Sequence, residues 1–379
     1  MTKKRLNRKQ ERLERERRLK KKKRKRIIII LLEIIILAGL GVVAYGMFVM
    51  DKMDTTTLNK SDLKVYKSTG DYTNIALFGL DSRDGELDGG VQSDCIMVAS
   101  INNKTNEVKL VSVFRDTLLK VGDKKYGKAN SAYNIGGPTD AIALLNRNLD
   151  LDIEKYISVN FNVMADIVDD IGGIEVDMTE EEVEWTNKYC GETAAVVGRA
   201  PKTTLSGSGV KKLDGIQAVS YARIRYTEGM DFKRTQRQRI VLEKIVEKAQ
   251  KANIITLNNI INSVMPQVST NLTTGNMFAL AAHAKDYKLG EMSGFPFEVT
   301  TCEKVKGHKG SYATAVGLEK NVSELHQFLF GKENYEPSKT VKDISDEIIE
   351  LTGVDPKTYK ETTDYTYKSG GEESENSEQ

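Results

Sequence analysis

The sequence predicts an α/β fold, an α-β-α layered domain around a central mixed sheet, preceded by a single transmembrane helix. Three observations carry this expectation. Short apolar runs of strand length alternate with longer helical patterns from roughly residue 70 to 300. Two of these runs are joined by a short polar segment, as in an antiparallel hairpin. Finally, an almost uncharged stretch from Ile27 to Met50 follows a strongly basic amino terminus.

Charge orders the chain first. Sixteen of the first 26 residues are Lys or Arg, against three acids, Glu11, Glu14 and Glu16, whereas the 329 residues from Asp51 onward hold 40 Lys/Arg and 50 Asp/Glu. The formal net charge of +2 conceals this split. By the positive-inside rule residues 1–26 stay in the cytoplasm and the part after Met50 is exported. A helix over 27–50 would be roughly 36 Å long, enough to cross a hydrocarbon core of about 30 Å with some tilt. Glu33 interrupts it, and is tolerable there if neutral, at the cytoplasmic interface or facing a partner helix. The apolar run exceeds a signal-peptide h-region and Tyr45-Gly46-Met47-Phe48 lacks the small-residue pattern of a cleavage site, so a retained signal-anchor is expected. Lys20 to Arg26 could neutralise nucleic-acid phosphates, but beside a membrane span anionic lipid headgroups are the simpler partner and no nucleic acid is expected.

The exported part divides into a stalk at 51–70, a core at 71–252, a C-terminal part of the same fold at 253–355 and a polar tail at 356–379. Asn74 to Leu80 reads as the first strand. Asp94–Ile101 and Glu107–Val113 follow as a hairpin around Asn102 to Asn106. Helical patterns cover Pro138–Asn148 and Val163–Ile171, the second closed by Gly172-Gly173 before a short strand at Ile174–Met178. Leu213–Ala222 and Phe232–Ala252 are the next helices. Phe295–Val299 reads as a late strand that Pro296 keeps from the sheet centre, and helices at Gly317–Phe330 and Val341–Leu351 close the fold. Cys95 sits inside a strand as a buried thiol, whereas Cys190 and Cys302 fall near predicted loops and are candidates for one disulfide. The three histidines have no zinc-ligand spacing.

Arginine marks the candidate site. The exported part has nine arginines, and five of them, Arg223, Arg225, Arg234, Arg237 and Arg239, fall within seventeen residues. A solvated helix face explains part of such a cluster, but the guanidinium fork is the group that grips two phosphate oxygens at once. If Tyr221–Arg225 is extended, Arg223 and Arg225 point to one side, which requires a helix-to-strand change near Ser220. Arg234 and Arg237 can share a helix face, Arg239 diverges, and Asp231 caps that helix or orients an arginine. Asp81 and Asp94, at strand ends, either cap turns or supply the hard oxygen ligands that Mg²⁺ takes together with phosphates. Arg115 ends another strand. No Walker-type loop is present, so ATP is not the natural donor.

Taken in order, Gly79-Leu80-Asp81-Ser82-Arg83, Ser93-Asp94, Ser112-Val113-Phe114-Arg115-Asp116, Lys128-Ala129-Asn130-Ser131-Ala132-Tyr133, Asp169 to Gly173, and Tyr221 to Arg225 followed by Asp231 to Gln238 resemble the LytR-CpsA-Psr family of cell-envelope phosphotransferases. The resemblance spans roughly 71–252. It implies Mg²⁺-dependent transfer (Mn²⁺ being the alternative ion) of a phosphorylated glycopolymer, such as a teichoic acid or capsular polysaccharide, from an undecaprenyl-pyrophosphate-linked donor to peptidoglycan, on the outer face of a Gram-positive cell membrane. It implies Asp81 and Asp94 as metal ligands, with Asp81 alternatively a base, and Arg115, Arg223 and Arg225 as pyrophosphate contacts. Arg83 and one of Arg234 or Arg237 would join the same pocket, with the prenyl chain between sheet and helices. Two departures stand out. Gln92 occupies the place where the family usually has an arginine two residues before the aspartate, so a hydrogen-bonding substrate contact replaces a charged one. Phe114 occupies a place where proline is common. Gln92 slightly favours a rival class, a non-catalytic receptor for polyprenyl phosphates. A membrane-bound transcription attenuator is disfavoured because the basic tail contains no helix-turn-helix.

Overall fold

The computed structural model describes residues 57–359, apart from 83–86, 88–89, 124, 228–229, 254–255, 257–258, 261–262 and 265–266, together with 54–55 and 367–368. The predicted basic tail, the predicted span with Glu33, and Arg83 lie outside the described residues. Among the described residues no helix is long and apolar enough to cross a membrane.

In chain order the elements are β1 (Asp54–Thr55), β2 (Tyr72–Leu80), β3 (Ser93–Asn102), β4 (Glu107–Val113), β5 (Leu118–Lys120), β6 (Tyr126–Lys128), α1 (Ser131–Leu149), β7 (Lys155–Asn160), α2 (Phe161–Asp170), β8 (Ile174–Met178), α3 (Glu180–Val197), β9 (Gly209–Leu213), α4 (Gly215–Arg223), α5 (Met230–Lys251), β10 (Ser269–Thr270), α6 (Thr274–Ala282), β11 (Lys288–Phe295), β12 (Val299–Cys302), β13 (Tyr312–Ala315), α7 (Leu318–Phe330), α8 (Lys339–Thr352) and β14 (Tyr367–Lys368). Eight strands form one mixed sheet in the order β1-β10-β7-β2-β3-β4-β11-β14. The expected hairpin is β3 and β4, antiparallel, while β2 pairs antiparallel with β3 and parallel with β7. β2 therefore lies inside the sheet and offers both its faces to packing.

Strand alternation sorts β2 between two layers. Ala76, Phe78 and Leu80 enter a core with Tyr133, Ile142 and Leu145 of α1. Leu77 faces the other way, in a cluster with Leu242 of α5. The C-terminal part closes the α1 side, since Phe295, Val322, Leu325, Val341 and Ile344 belong to that same core. Of the segment 51–70 read as stalk, residues 57–70 are docked on the domain: Leu63 is fully buried, and the Thr69 N–H and hydroxyl both donate to the Asp152 carboxylate at 2.6 and 2.9 Å.

Three expectations change. The helix expected from Pro138 starts at Ser131 and is broken at Gly136 and Gly137 (φ 61°), after which Pro138 opens a second segment where its missing N–H costs nothing. The late strand is Lys288–Phe295 rather than Phe295–Val299; its two glycines, Gly290 and Gly294, dilute the apolar pattern, and it stops before Pro296, which has no N–H to donate. Cys190 and Cys302 are free thiols, because Cys190 is not in a loop but buried in α3. That helix was not expected, although its Thr179-Glu180-Glu181-Glu182 start forms a full capping box.

One buried group couples this fold to pH. His326 on α7 donates from Nε2 to the Leu149 carbonyl at 3.0 Å and stacks on Tyr335 at 3.6 Å, and burial pushes its pKa down to about 4. The folded state therefore resists protonating a residue that in the unfolded chain titrates near 6.5. This contribution is complete above about pH 6.5 and is lost as pH falls toward 4, on the order of 3 kcal/mol. Urea unfolding at pH 7 and pH 4.5 is expected to show that loss, and His326→Gln to flatten it.

Candidate site: an apolar cavity closed by an arginine cluster

Between the sheet and helices α2, α4 and α5 lies a cavity of about 690 Å³. Leu77, Gly79, Cys95, Met97, Ile157 and Val159 line it from the sheet, and Met164, Ile167, Val219, Ala222, Val241 and Leu242 line it from the helices. Along the sheet and the inner faces of these helices the wall is largely apolar, interrupted by Asn160 and Gln238. Two glycines permit the packing that shapes it. A Cβ on Gly79 would stand 2.8 Å from the Cys95 Cβ, and one on Gly215 would stand 2.2 Å from the Ala165 carbonyl oxygen, forcing α4 away from α2. Cys95 is half-buried in this wall, where burial raises its thiol to about 12, so it is protonated and unreactive.

At the C-terminal end of β2 the wall becomes ionic. Asp94 accepts from Arg115 Nη1 at 2.7 Å on Oδ1 and from Arg225 Nη2 at 3.0 Å on Oδ2, and Arg234 Nη1 lies 3.5 Å from Oδ2. Asp231, at the start of α5, holds the same three arginines from the other side: Arg234 Nη2 at 3.3 Å, Arg115 Nε at 3.5 Å and Arg225 Nε at 4.0 Å. Burial by itself would raise the Asp94 pKa, but Arg234, Arg115 and Arg225 together outweigh it and hold the carboxyl below its ordinary value. Asp116 also lies 3.6 Å from Arg115 Nε and takes Lys128 at 2.8 Å, so among the described residues three guanidiniums and one ammonium meet three carboxylates, a positive excess of one. The Nε atoms of Arg115 and Arg234 are buried within the cluster, that of Arg115 between Asp231 and Asp116.

The sequence candidates separate on this geometry. Asp81, Asp94, Arg223, Arg225 and Arg234 all line the cavity, and Arg115 stands against Asp94. The helix-to-extended change occurs at Ile224, later than Ser220, because α4 runs through Arg223 before Ile224 adopts φ −57°, ψ 126°. Arg223 and Arg225 consequently do not form a strand-type pair. Arg223 lies over the Phe161 ring at 5.0 Å and donates to Thr193 at 2.8 Å, while Arg225 turns to Asp94. Gln92 is exposed and accepts through Oε1 from Asn130 Nδ2 at 3.3 Å, with its carbonyl taking the Asp81 N–H at 3.2 Å; it is not among the residues lining the cavity. Phe114 uses its N–H, which proline would lack, to bond the Phe295 carbonyl at 3.0 Å, and its ring meets Phe232 at 4.7 Å, fixing the start of α5 beside Arg115.

Arg237 departs from its expected place. It shares no cavity face with Arg234; its Nε donates to Glu182 at 2.8 Å, its Nη2 to Thr227 at 2.8 Å and its Nη1 to the Ile224 carbonyl at 3.4 Å. At three residues' separation the two side chains diverge enough for one to enter the cluster and the other to tie α3 to the 224–227 segment. Sequence reasoning missed the face of α3 that reaches the cavity, Trp185, Lys188, Tyr189 and Glu192. Their i, i+3, i+4, i+7 spacing puts them on one face, but Lys188 and Glu192 are charged, so no apolar stripe announced it.

The oxygen donors suit a hard cation. Among the described residues no group of three or more His, Cys, Asp or Glu forms a metal cage. Asp81 and Asp94 both line the cavity, and Asp94 is already paired with three arginines. The hydrogen bonds to Asp94 leave carboxylate lone pairs open.

Fold and site together define a layered α/β protein with a cavity whose wall is largely apolar and whose end is lined by arginines paired with aspartates. Its sequence matches the LytR_cpsA_psr family over residues 42–327, and the chain belongs to that family. It is 30% identical over 268 residues to a Bacillus cereus protein named polyisoprenyl-teichoic acid–peptidoglycan teichoic acid transferase TagU, a match covering 67% of this chain and 80% of that one. A crystal structure of an Enterococcus faecalis protein described as a transcriptional regulator aligns with a TM-score of 0.56 at 25% identity, covering 78% of this chain and 98% of that one. Bacillus subtilis TagT shares the fold, with a TM-score of 0.52 at 21% identity over 70% of this chain and 93% of its own.

The different placement of two arginines is measurable. Arg237→Ala leaves a largely buried Glu182 unpaired and is expected to destabilise the domain by about 3 kcal/mol. Arg225→Ala, at a half-exposed pair, is expected to cost less than about 1 kcal/mol. Urea midpoints of the two variants check the contrast.

Proposed function

We propose that this protein transfers a phosphorylated glycopolymer from an undecaprenyl-pyrophosphate-linked donor to peptidoglycan, forming a phosphodiester bond in cell-wall assembly. The observation that carries the reading is the continuity of one cavity from an apolar wall to the Asp94 arginine cluster. A ligand filling both ends must be an amphiphile with a long hydrocarbon chain and a compact polyanionic head. A polyprenyl pyrophosphate has that form, and the TagU relative is named for a polyisoprenyl-linked substrate.

In this reading the prenyl chain lies between Met97, Met164 and Leu242, and the pyrophosphate meets Arg223, Arg225 and Arg234 where the apolar wall ends. Arg115, held against Asp94 and Asp231, supports the cluster from behind and adds positive potential. The phosphate carrying the glycan is attacked by a hydroxyl of the acceptor, the bond to the bridging oxygen breaks, and the lipid monophosphate leaves with the charge stabilised by the guanidiniums. Their mutual positions are preset by Asp94 and Asp231, so little reorganisation accompanies the charge shift. Asp81 and Asp94 would hold Mg²⁺, which when bound supplies Lewis-acid neutralisation of the diphosphate. Asp81 is exposed at the cavity rim, where its carboxylate can alternatively take the proton of the attacking hydroxyl.

Arg115→Ala and Arg223→Ala are expected to abolish transfer to peptidoglycan in a reconstituted assay while leaving the circular dichroism spectrum unchanged. Full transfer by either purified variant would sink the assignment. Removal of divalent ions with EDTA is expected to stop transfer and added Mg²⁺ or Mn²⁺ to restore it; undiminished turnover in EDTA would remove the metal from the reading.

A further inference from the structure

The face of α3 at the cavity mouth carries an aromatic surface that the phosphate chemistry does not use. Trp185 and Tyr226 face one another at 5.2 Å with their planes 35° apart, and Lys188 Nζ sits 4.4 Å over the Trp185 ring. Tyr226 is 68% exposed, an unusual position for a large ring that has a neighbouring cavity to enter. It directly follows Arg225, whose guanidinium is bound to Asp94. We infer that Trp185 and Tyr226 form a stacking subsite for a pyranose ring, the sugar adjoining the phosphate that reacts at the arginine cluster.

Four features of the geometry support this. The negative faces of aromatic rings attract the weakly positive C–H face of a sugar, and Tyr226, 68% exposed, offers ring surface for it while Trp185, covered in part by Lys188, backs it. Charged hydrogen-bonding groups surround the rings as sugar hydroxyls require: Lys188 and Glu192 on the same helix, and Arg223, whose Nη2 lies 3.6 Å from Glu192. Position follows from the cavity, because Arg225, Tyr226 and Trp185 all line it. Finally, the two halves of the platform are tied together. Glu182, one turn before Trp185, accepts from Arg237, and Arg237 also binds Ile224 and Thr227 on either side of Arg225 and Tyr226. Arg237 is thus a positioning residue, fixing α3 against the segment that carries Tyr226.

The subsite rests on the transferase reading and deepens it by naming its ligand chemistry, a pyranose ring, which can belong either to the acceptor glycan or to the first sugar of the donor. Trp185 is the single tryptophan of the chain, so its emission reports on this place alone. The full chain in detergent micelles is titrated with three probes: a phosphate-free chito-oligosaccharide, a sugar pyrophosphate (UDP-N-acetylglucosamine) and anionic phosphatidylglycerol vesicles. Saturable quenching by the oligosaccharide assigns the subsite to the acceptor; quenching by the sugar pyrophosphate alone assigns it to the donor. In either case Tyr226→Ala is expected to weaken binding roughly tenfold, and Arg237→Lys, which keeps the charge but loses the fork, to weaken it to a smaller extent while Trp185 remains folded into the domain by circular dichroism. No saturable response to either sugar, a response to vesicles alone, or an unchanged affinity in Tyr226→Ala would overturn the inference. Because the readout is binding, a protein that stacks the sugar yet shows no transfer would count against the transferase reading and leave the subsite standing.

Discussion

Asp94 and its three arginines set the conditions that the rest of the site must meet. A carboxylate this enclosed stays charged because Arg115, Arg225 and Arg234 converge on it, and guanidiniums this close to each other are tolerable because Asp94 and Asp231 separate them. The groups come from four places in the chain: β3, the end of β4, the segment after α4, and the start of α5. Any change in how these elements pack therefore changes the anion site. Local details serve that convergence, from the Phe114 N–H on Phe295 to the close approach of α4 and α2 at Gly215.

The ionic cluster also explains why the cavity stays apolar beside so much charge. Arg225 and Arg234 are paired with aspartates at one end and Arg223 with Thr193 and Glu192 of α3, so the stretch between Leu77, Met97, Met164, Ile167, Val241 and Leu242 is left apolar. A ligand with a hydrocarbon chain and a polyanionic head meets both environments in turn. The family to which the chain belongs gives the proposed reaction, whereas the spatial order of wall, cluster and aromatic mouth gives the order in which tail, diphosphate and sugar would lie.

Arg234 and Arg237 show how one short motif divides its labour. They sit three residues apart on α5, yet Arg234 enters the cluster, with 2% of its side chain exposed, and Arg237 crosses to Glu182 of α3. The first completes the anion site; the second holds the helix that forms its rim. Both are buried, and burial selects the partner each must have: two aspartates for one, and a glutamate with a hydroxyl and a carbonyl for the other.

Much of this was legible in the sequence by itself. The hairpin of β3 and β4 and helices α2, α5, α7 and α8 follow from apolar period, because that signal is local, whereas Asp81, Asp94 and Arg115 were tied to the clustered arginines only by the resemblance of their motifs to the family. The tertiary structure decided what depends on distant partners. α3 carries little amphipathic signal of its own and is fixed by packing on α4, the glycine-containing strand β11 gains its place only between β4 and β14, and Cys190 and Cys302 stay apart because each belongs to a different element. Whether an arginine faces a cavity or braces a helix is likewise absent from a linear spacing. It is set by which carboxylate lies within reach once the chain has folded, Asp94 for Arg234 and Glu182 for Arg237.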